Sequence, residues 1–554
     1  MKDTLLKGTM ILAGAALVAR VLGVVQRIPL QRLLDDAGMA TYGIAYNVYF
    51  WLLILATAGF PSAVAKLVSE KYAVGRPDEG EAIHRAAVNF ALTTGVLATI
   101  VVVAFAPLYA HISGDPGADL AIRALAPALL LFPWIAVERG YFQGRRMMAA
   151  NGLSQVWEQI ARVVTAVLLA YALLELGYGV NWAAAGASFG GVLGALAAAA
   201  VMLLWGRKLK KADREGGEPN VMADGGVALP GASPAASGID TSSLGSIYRA
   251  MFRLSIPVSI TALAVPTVYL IDSTFTIRLI EGLVGYDNAK DLLGMLTARA
   301  QSLAGIPVIF AIALSQSILP IISSAFIRGE QAEVQRQTSS ALRMTLLSGV
   351  PAIVVLCVAA FPLNRLIFGD TFGTWVIIFL VVSSLFQVLM MTSGSILTGI
   401  DRPSAPLRNI GIGVASKFVF SLALAPFIGI WGIAGGTALC FAVTMTLNLL
   451  ALRKSVDYSI MGGRTLRFAA AAAGQIAAGG ALAWALFTYL HPFGIPFLNA
   501  LLQVLLISGV TGVLYPILLL KTGAFTAADI AAMPAKARRL WSRAEPAMRK
   551  LRML

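Results

Sequence analysis

Read for apolar and polar positions, the chain resolves into long apolar runs joined by short polar stretches. Windows of about 20 residues, enough helix to cross roughly 30 Å of hydrocarbon, fall at 6–28, 42–66, 86–110, 120–142, 152–175, 182–205, 250–278, 294–325, 341–366, 374–399, 407–429, 431–452, 466–489 and 496–520. The pattern predicts an all-α polytopic membrane protein of about 14 transmembrane helices. One long interruption, 207–246, is rich in Gly, Pro, Ala and Ser after a basic start. It is expected to be a flexible cytoplasmic linker.

Either side of that linker the pattern repeats. YFQGRRMMAANGLSQVWEQIARVV at 141–164 aligns without gaps on ILTGIDRPSAPLRNIGIGVASKFV at 396–419, pairing Gly144 with Gly399 and Arg162 with Lys417. NWAAAGAS at 181–188 then matches IWGIAGGT at 430–437. Because six runs separate equivalent points, the two halves share one orientation, a parallel repeat of the kind transporters use. The expected division is an N-terminal six-helix lobe at 1–206, the linker at 207–246 and a second six-helix lobe at 247–453. An added helix pair at 454–521 and a basic tail at 522–554 complete it.

Charge orients this scheme. The 554 residues are 58% hydrophobic and 13% charged, with a net charge of +15. Joints on one side carry Lys66, Lys71, Arg76 and Arg85, then Arg139, Arg145 and Arg146, then the cluster from Arg207 to Arg214, and later Arg328, Arg336, Arg402 and Arg453. The opposite joints offer little beyond Arg32, Arg123, Arg278, Lys290 and Arg365. By the positive-inside rule both termini are expected in the cytoplasm. This sorting accounts for the positive charge without nucleic acid as a partner. The tail, with Arg538, Arg539 and Arg543 around Leu540 and Trp541, reads as an amphipathic helix on anionic membrane lipids. Two cysteines inside apolar runs and three scattered histidines give no disulfide framework and no metal site.

A smaller set of charges lies inside the runs: Arg20 and Arg27 in the first, Glu158 and Arg162 at 152–175, Asp272 at 250–278, Arg299 at 294–325 and Lys417 at 407–429. Each costs roughly 2.5–3.5 kcal/mol at a helix centre, so they are expected to face a wet interior or each other. Arg20 and Arg27 are two turns apart on one face, with Gly23 between them allowing a close approach. Glu158 and Arg162, spaced i,i+4, can neutralise one another. Asp272 either pairs with an arginine or holds a coupling proton or sodium ion. Cations outnumber anions five to two in this set, which favours an anionic cargo over a lipophilic cation. A diphosphate suits it, because guanidinium forks bind phosphate oxygens bidentately. Pro29, Pro61, Pro257, Pro266, Pro307 and Pro320 interrupt the leading runs of both halves and are candidate hinges.

RVLGVVQR at 20–27, AGMAT at 37–41 and TARAQSLAGIPVIFAIALSQSILPIISSAFIRG at 297–329 resemble the MurJ-type lipid II flippases. They also resemble the related sporulation and polysaccharide-export proteins of the MOP (multidrug/oligosaccharidyl-lipid/polysaccharide) superfamily. The likeness implies two six-helix lobes around a cationic cavity, plus a helix pair lining a groove for a lipid tail. It implies alternating-access transport of a lipid-linked anionic saccharide, with no cofactor beyond a coupling ion and the membrane potential. Cell-wall synthesis proteins are the implied partners. Functional arginines of the family fall on Arg20, more loosely on Arg27, and on Arg299; Glu158, Arg162, Asp272 and Lys417 are further coupling or cavity candidates. The chain departs from the pattern at Tyr42, where an acid often follows the GMAT motif. Rival readings are another lipid-linked saccharide of capsule, exopolysaccharide or spore envelope, a drug antiporter, and an enzyme. Asp35 and Asp36, adjacent acids in a joint between spans, are expected to be solvated in an outer loop rather than catalytic.

Overall fold

A computed structural model describes residues 5–214, 243–490 and 492–525. Most of the 207–246 linker and the basic tail beyond Phe525 lie outside the described residues. Within them the chain is helical and contains no strand. The helices are α1 (Leu5–Thr57), α2 (Phe60–Ala73), α3 (Pro77–Ile112), α4 (Ala118–Leu125), α5 (Ala128–Gly144), α6 (Met148–Glu175), α7 (Val180–Arg214), α8 (Leu244–Ala262), α9 (Ala264–Val284) and α10 (Tyr286–Gly294). A π turn (Met295–Ala300) leads into α11 (Gln301–Ile327), α12 (Gln331–Val358), α13 (Ala360–Phe368), α14 (Thr374–Gly399), α15 (Ser404–Ile428), α16 (Ile430–Arg453), α17 (Thr465–Tyr489) and α18 (Pro496–Lys521).

Among the described residues, twelve helical stretches are long and apolar enough to cross a membrane, thirteen when the bent pair α8–α9 counts as one. The stretch Gly14–Ala73 runs 60 residues, about 90 Å at 1.5 Å per residue and far more than one crossing needs. It therefore covers two expected spans, 6–28 and 42–66, and the backbone breaks between them at Asp35, with φ 53° and ψ −173°. Asp35 and Asp36 are thus part of a helical corner rather than of an extended loop. The Asp36 carboxylate accepts a 2.7 Å hydrogen bond from Gln31 across that corner.

Prolines mark two breaks and not the others. Pro61 opens α2 just after the chain leaves α1, where a ring lacking an N–H costs nothing. Pro266 sits at the start of α9, after a 50° bend from α8. Pro29 lies inside α1 ahead of its break at Asp35, and Pro307 and Pro320 lie inside α11.

The helices form two units. The first comprises Met1–Ala298 with Leu424–Ile430; the second comprises Arg299–Ala423 with Trp431–Leu554. In the first, α6 and α7 pack through small residues. A side chain on Gly190 would lie 2.7 Å from Ala166, and one on Gly194 would lie 2.8 Å from the Glu158 carbonyl. With no hydrophobic drive between helices inside lipid, such close approach supplies the packing energy. The same alanine faces meet Leu30, Leu34 and Met39 of α1. Glycine also seats α10 on the α1 corner, where a Cβ on Gly294 would overlap the Asp36 carbonyl at 1.8 Å and one on Gly43 would reach Thr297 at 2.8 Å. At the other end of this unit, a Cβ on Gly59 would lie 2.2 Å from the Ser255 carbonyl, and the Gly59 N–H donates to Ser259.

In the second unit, Ile322 of α11, Leu342 of α12, Ile396 of α14 and Leu452 of α16 share one core. The last two helices pack onto it. Gly479 of α17 abuts Thr511 of α18 and Val358 of α12, and Tyr515 donates to the Leu347 carbonyl.

Candidate functional site

The first unit carries most of the charges that sequence reading singled out. Arg20 is exposed on α1 and has no hydrogen-bond or ion-pair partner among the described residues. Three residues on, a Cβ at Gly23 would lie 3.3 Å from the Gln159 amide. Arg27 is half-buried and donates to the Thr297 carbonyl at 2.6 Å. That carbonyl belongs to the π turn. A π turn displaces the regular i→i−4 ladder and so leaves carbonyls open to other donors.

Glu158 and Arg162 form the expected i,i+4 pair at 3.0 Å, but the pair has a third member. Glu158 also accepts from Arg139 at 2.8 Å, and Arg139 rests on the hydroxyl of Ser154 at 2.9 Å. The three charged side chains are only 12–16% exposed. One carboxylate between two guanidiniums leaves a local charge of +1. The Arg162 Nε and the Tyr49 hydroxyl are both buried without a partner among the described residues. Phe132 lies 5.8 Å from the Arg162 guanidinium and meets the Tyr49 ring edge-on. Tyr42, Tyr46 and Tyr49, spaced i, i+4 and i+7, stand on one face of α1.

Asp272 is 1% exposed on α9, a helix tied to α1 by Trp51 donating to Thr267 at 2.9 Å. A separate buried acid, Asp115, binds Lys290 of α10 at 3.0 Å and accepts from Thr41 of α1 at 2.6 Å. Nearby, Arg278 donates to the His111 carbonyl at 2.8 Å.

The second unit holds Arg299 and Lys417. Arg299, 3% exposed within the π turn, grips Asp370 with both nitrogens, at 2.5 and 3.1 Å. The rings of Phe368 and Phe372 lie 5.4 and 5.9 Å from its guanidinium. Asp370 belongs to the loop between α13 and α14. Burial pushes its carboxyl up, yet hydrogen bonds from Arg299 and the Phe372 N–H outweigh this and hold it below the usual aspartate range. Lys417 is fully buried, and its ammonium donates to Thr437 at 2.6 Å. It is a packed polar contact between α15 and α16.

Arg139, Asp370 and Asp115 escaped sequence reading as interior groups. Arg139 was counted among the charges of a joint, although α5 carries it to a buried acid; its place in an apolar run, AVERGYF, was the available signal. Asp370 lies 71 residues from its partner, and the glycines bracketing GDTFG were the sole local hint. No group of three or more His, Cys, Asp or Glu side chains suited to a metal occurs among the described residues.

Comparison with known proteins fits this architecture. The profile of the family described as polysaccharide biosynthesis protein matches residues 5–326. The lipid II flippase MurJ of Bacillus subtilis is 27% identical over 476 residues, covering 83% of this chain and 84% of the relative. The stage V sporulation protein B of the same organism is also 27% identical, covering 83% and 85%. Among solved structures, an inward-closed lipid II flippase MurJ superposes with a TM-score of 0.59 at 14% identity, covering 91% of this chain and 98% of that one. An inward-facing multidrug MATE transporter of the MOP superfamily gives 0.60 at 16% identity, covering 79% and 95%.

Proposed function

Because the chain belongs to the polysaccharide biosynthesis protein family, we propose that it is a flippase for a lipid-linked saccharide, carrying lipid II across the cytoplasmic membrane by alternating access. The observation that carries the reading is the excess of cations within apolar helices. The structure sets Arg139 beside Glu158 and Arg162 within the helices and brings Asp370 to Arg299 from the loop between α13 and α14. A cation pump would need the opposite balance, and nothing in the reading requires covalent chemistry.

In this reading Arg20, Arg27 and Arg299 are the residues that meet the diphosphate. A guanidinium–phosphate pair at about 4 Å gains roughly 4 kcal/mol at an effective dielectric of 20, offsetting much of the headgroup's lost hydration. The segments 1–206 and 247–453 act as moving lobes, 454–521 accommodates the lipid tail, and both termini face the cytoplasm. An inside-negative potential assists outward passage of an anion by about 2.3 kcal/mol per charge per 100 mV. Asp272, buried and near α1, is the candidate for a coupling proton or sodium ion.

The sporulation relative, at the same identity as the lipid II flippase, supports a second reading in which the cargo is a different lipid-linked saccharide. Complementation separates the two. Cells depleted of their own lipid II flippase and supplied with this protein are expected to grow and to display lipid II on the outer surface. Failure of a well-inserted wild type would favour the other saccharide. Arg20→Ala and Arg27→Ala are expected to cut surface lipid II at least tenfold, and full activity in both would refute the arginine site.

A further inference from the structure

Arg299 does not wait with an empty fork. We infer that Asp370 is a resident competitor for Arg299, holding its guanidinium until a phosphate group takes the carboxylate's place and retaking it to release the anion. This rests on the proposed reading of Arg299 as a phosphate ligand.

Four observations carry it. The first is geometric: both carboxylate oxygens face both terminal nitrogens of Arg299, the two-point contact a phosphate also makes. The second is exposure. Arg299 is 3% exposed, whereas the Asp370 side chain is 53% exposed. Phe368 and Phe372 flank the guanidinium, and the carboxylate is the solvent-facing group beside it. It is therefore the part of this enclosure that an aqueous anion meets first.

The third observation concerns the loop. Gly369 and Gly373 adopt positive φ, 95° and 70°, on either side of Asp370, a backbone that glycine adopts without strain. Asn364 secures the base by donating to the Phe372 carbonyl and the Thr374 hydroxyl, each at 2.9 Å. With the base held, rotation of one short side chain withdraws both carboxylate oxygens from the guanidinium. Lastly, Arg299 occupies a π turn, a local departure from regular helix that often marks functional positions.

An exchange of this kind meets two demands at once. The arginine is never left bare in an apolar helix, and the anion has a built-in displacer at the point of release. The chemistry requires two acidic oxygens in a fork, which a lipid diphosphate and inorganic diphosphate both supply.

The test uses the full-length purified protein and radiolabelled inorganic diphosphate in equilibrium binding, alongside flipping of lipid II in cells. Asp370→Asn keeps an oxygen for the Phe372 N–H but removes the charge. It is expected to bind diphosphate roughly tenfold tighter, the lower end expected for a hydrogen bond to a charged group, and to flip more slowly because release is impaired. Asp370→Ser, a second variant that preserves loop polarity, should behave alike. In Arg299→Ala the gain from Asp370→Asn should vanish. Tighter binding with slower turnover separates exchange from a merely structural role, which would weaken both. Unchanged affinity in both Asp370 variants, or a gain that survives without Arg299, would overturn the exchange while leaving diphosphate binding intact. Absence of diphosphate binding in wild type and variants alike would remove the phosphate reading and the exchange with it.

Discussion

Glu158 shared between Arg139 and Arg162 predicts an asymmetry that simple pair counting does not. At about 3 Å and an effective dielectric of 20, each contact is worth roughly 5 kcal/mol before desolvation. All three side chains are largely withdrawn from solvent. Glu158→Ala leaves two neighbouring guanidiniums with no counter-charge, and breaking a buried pair from one side costs about 3–5 kcal/mol. Arg162→Ala instead leaves Arg139 and Glu158 as a neutral pair, still supported by Ser154, and is expected to cost about 1 kcal/mol. The double variant Glu158→Ala/Arg162→Ala removes the repulsion that the first change creates. It should therefore recover part of the loss, landing about 1–2 kcal/mol above Glu158→Ala. Equilibrium unfolding of purified protein in mixed micelles reads all three. Equal costs for Glu158→Ala and Arg162→Ala, or a double variant no better than Glu158→Ala, would refute the shared-carboxylate reasoning.

Three further outcomes are expected. Gly59→Ala places a methyl group 2.2 Å from a backbone carbonyl of α8 and should lower stability by at least 1–3 kcal/mol, as overpacking does, whereas Gly480→Ala, with nothing near its Cβ, should be neutral in the same unfolding assay. Asp115→Ala strands Lys290 and should cost about 3–5 kcal/mol; a Lys290→Met/Asp115→Leu double variant should recover most of it in thermal unfolding. For Asp370, a depressed carboxyl contributes stability that is fully present above the ordinary aspartate range and lost only as pH falls through the lowered value. The stability gap between wild type and Asp370→Asn should thus be constant from neutral pH down to that range and close below it, as followed by thermal melts across pH.

Much of the fold was legible because bilayer crossing imposes a length and a polarity on every helix. Run 374–399 matches α14 at both ends, since lipid tolerates no other backbone state. Corners were harder. Residues 29–41 read as a loop because they hold Gln31, Arg32, Asp35 and Asp36, yet the helix continues on both sides of a single break, with Gln31 bonded to Asp36 across it. The site was half legible for a related reason. Glu158 and Arg162 are neighbours on one helix, so their pairing follows from periodicity. Arg139 and Asp370 join the charge network through tertiary contacts that no local spacing encodes. Lys417 shows the converse, for an interior lysine on an apolar helix here meets a neighbouring helix through Thr437.

Where α10 meets α1, the meeting surface is nearly smooth. Gly294 lies on bare main chain and Gly43 faces the stub of Thr297, while Arg27 reaches across to the Thr297 carbonyl. Such a seam parts like two flat plates, with little to unlace. The resistance to opening there rests instead on a few polar fasteners, Lys290 and Thr41 on Asp115 and Arg27 on the Thr297 carbonyl. Water can undo each of these one at a time and hand each a substitute partner.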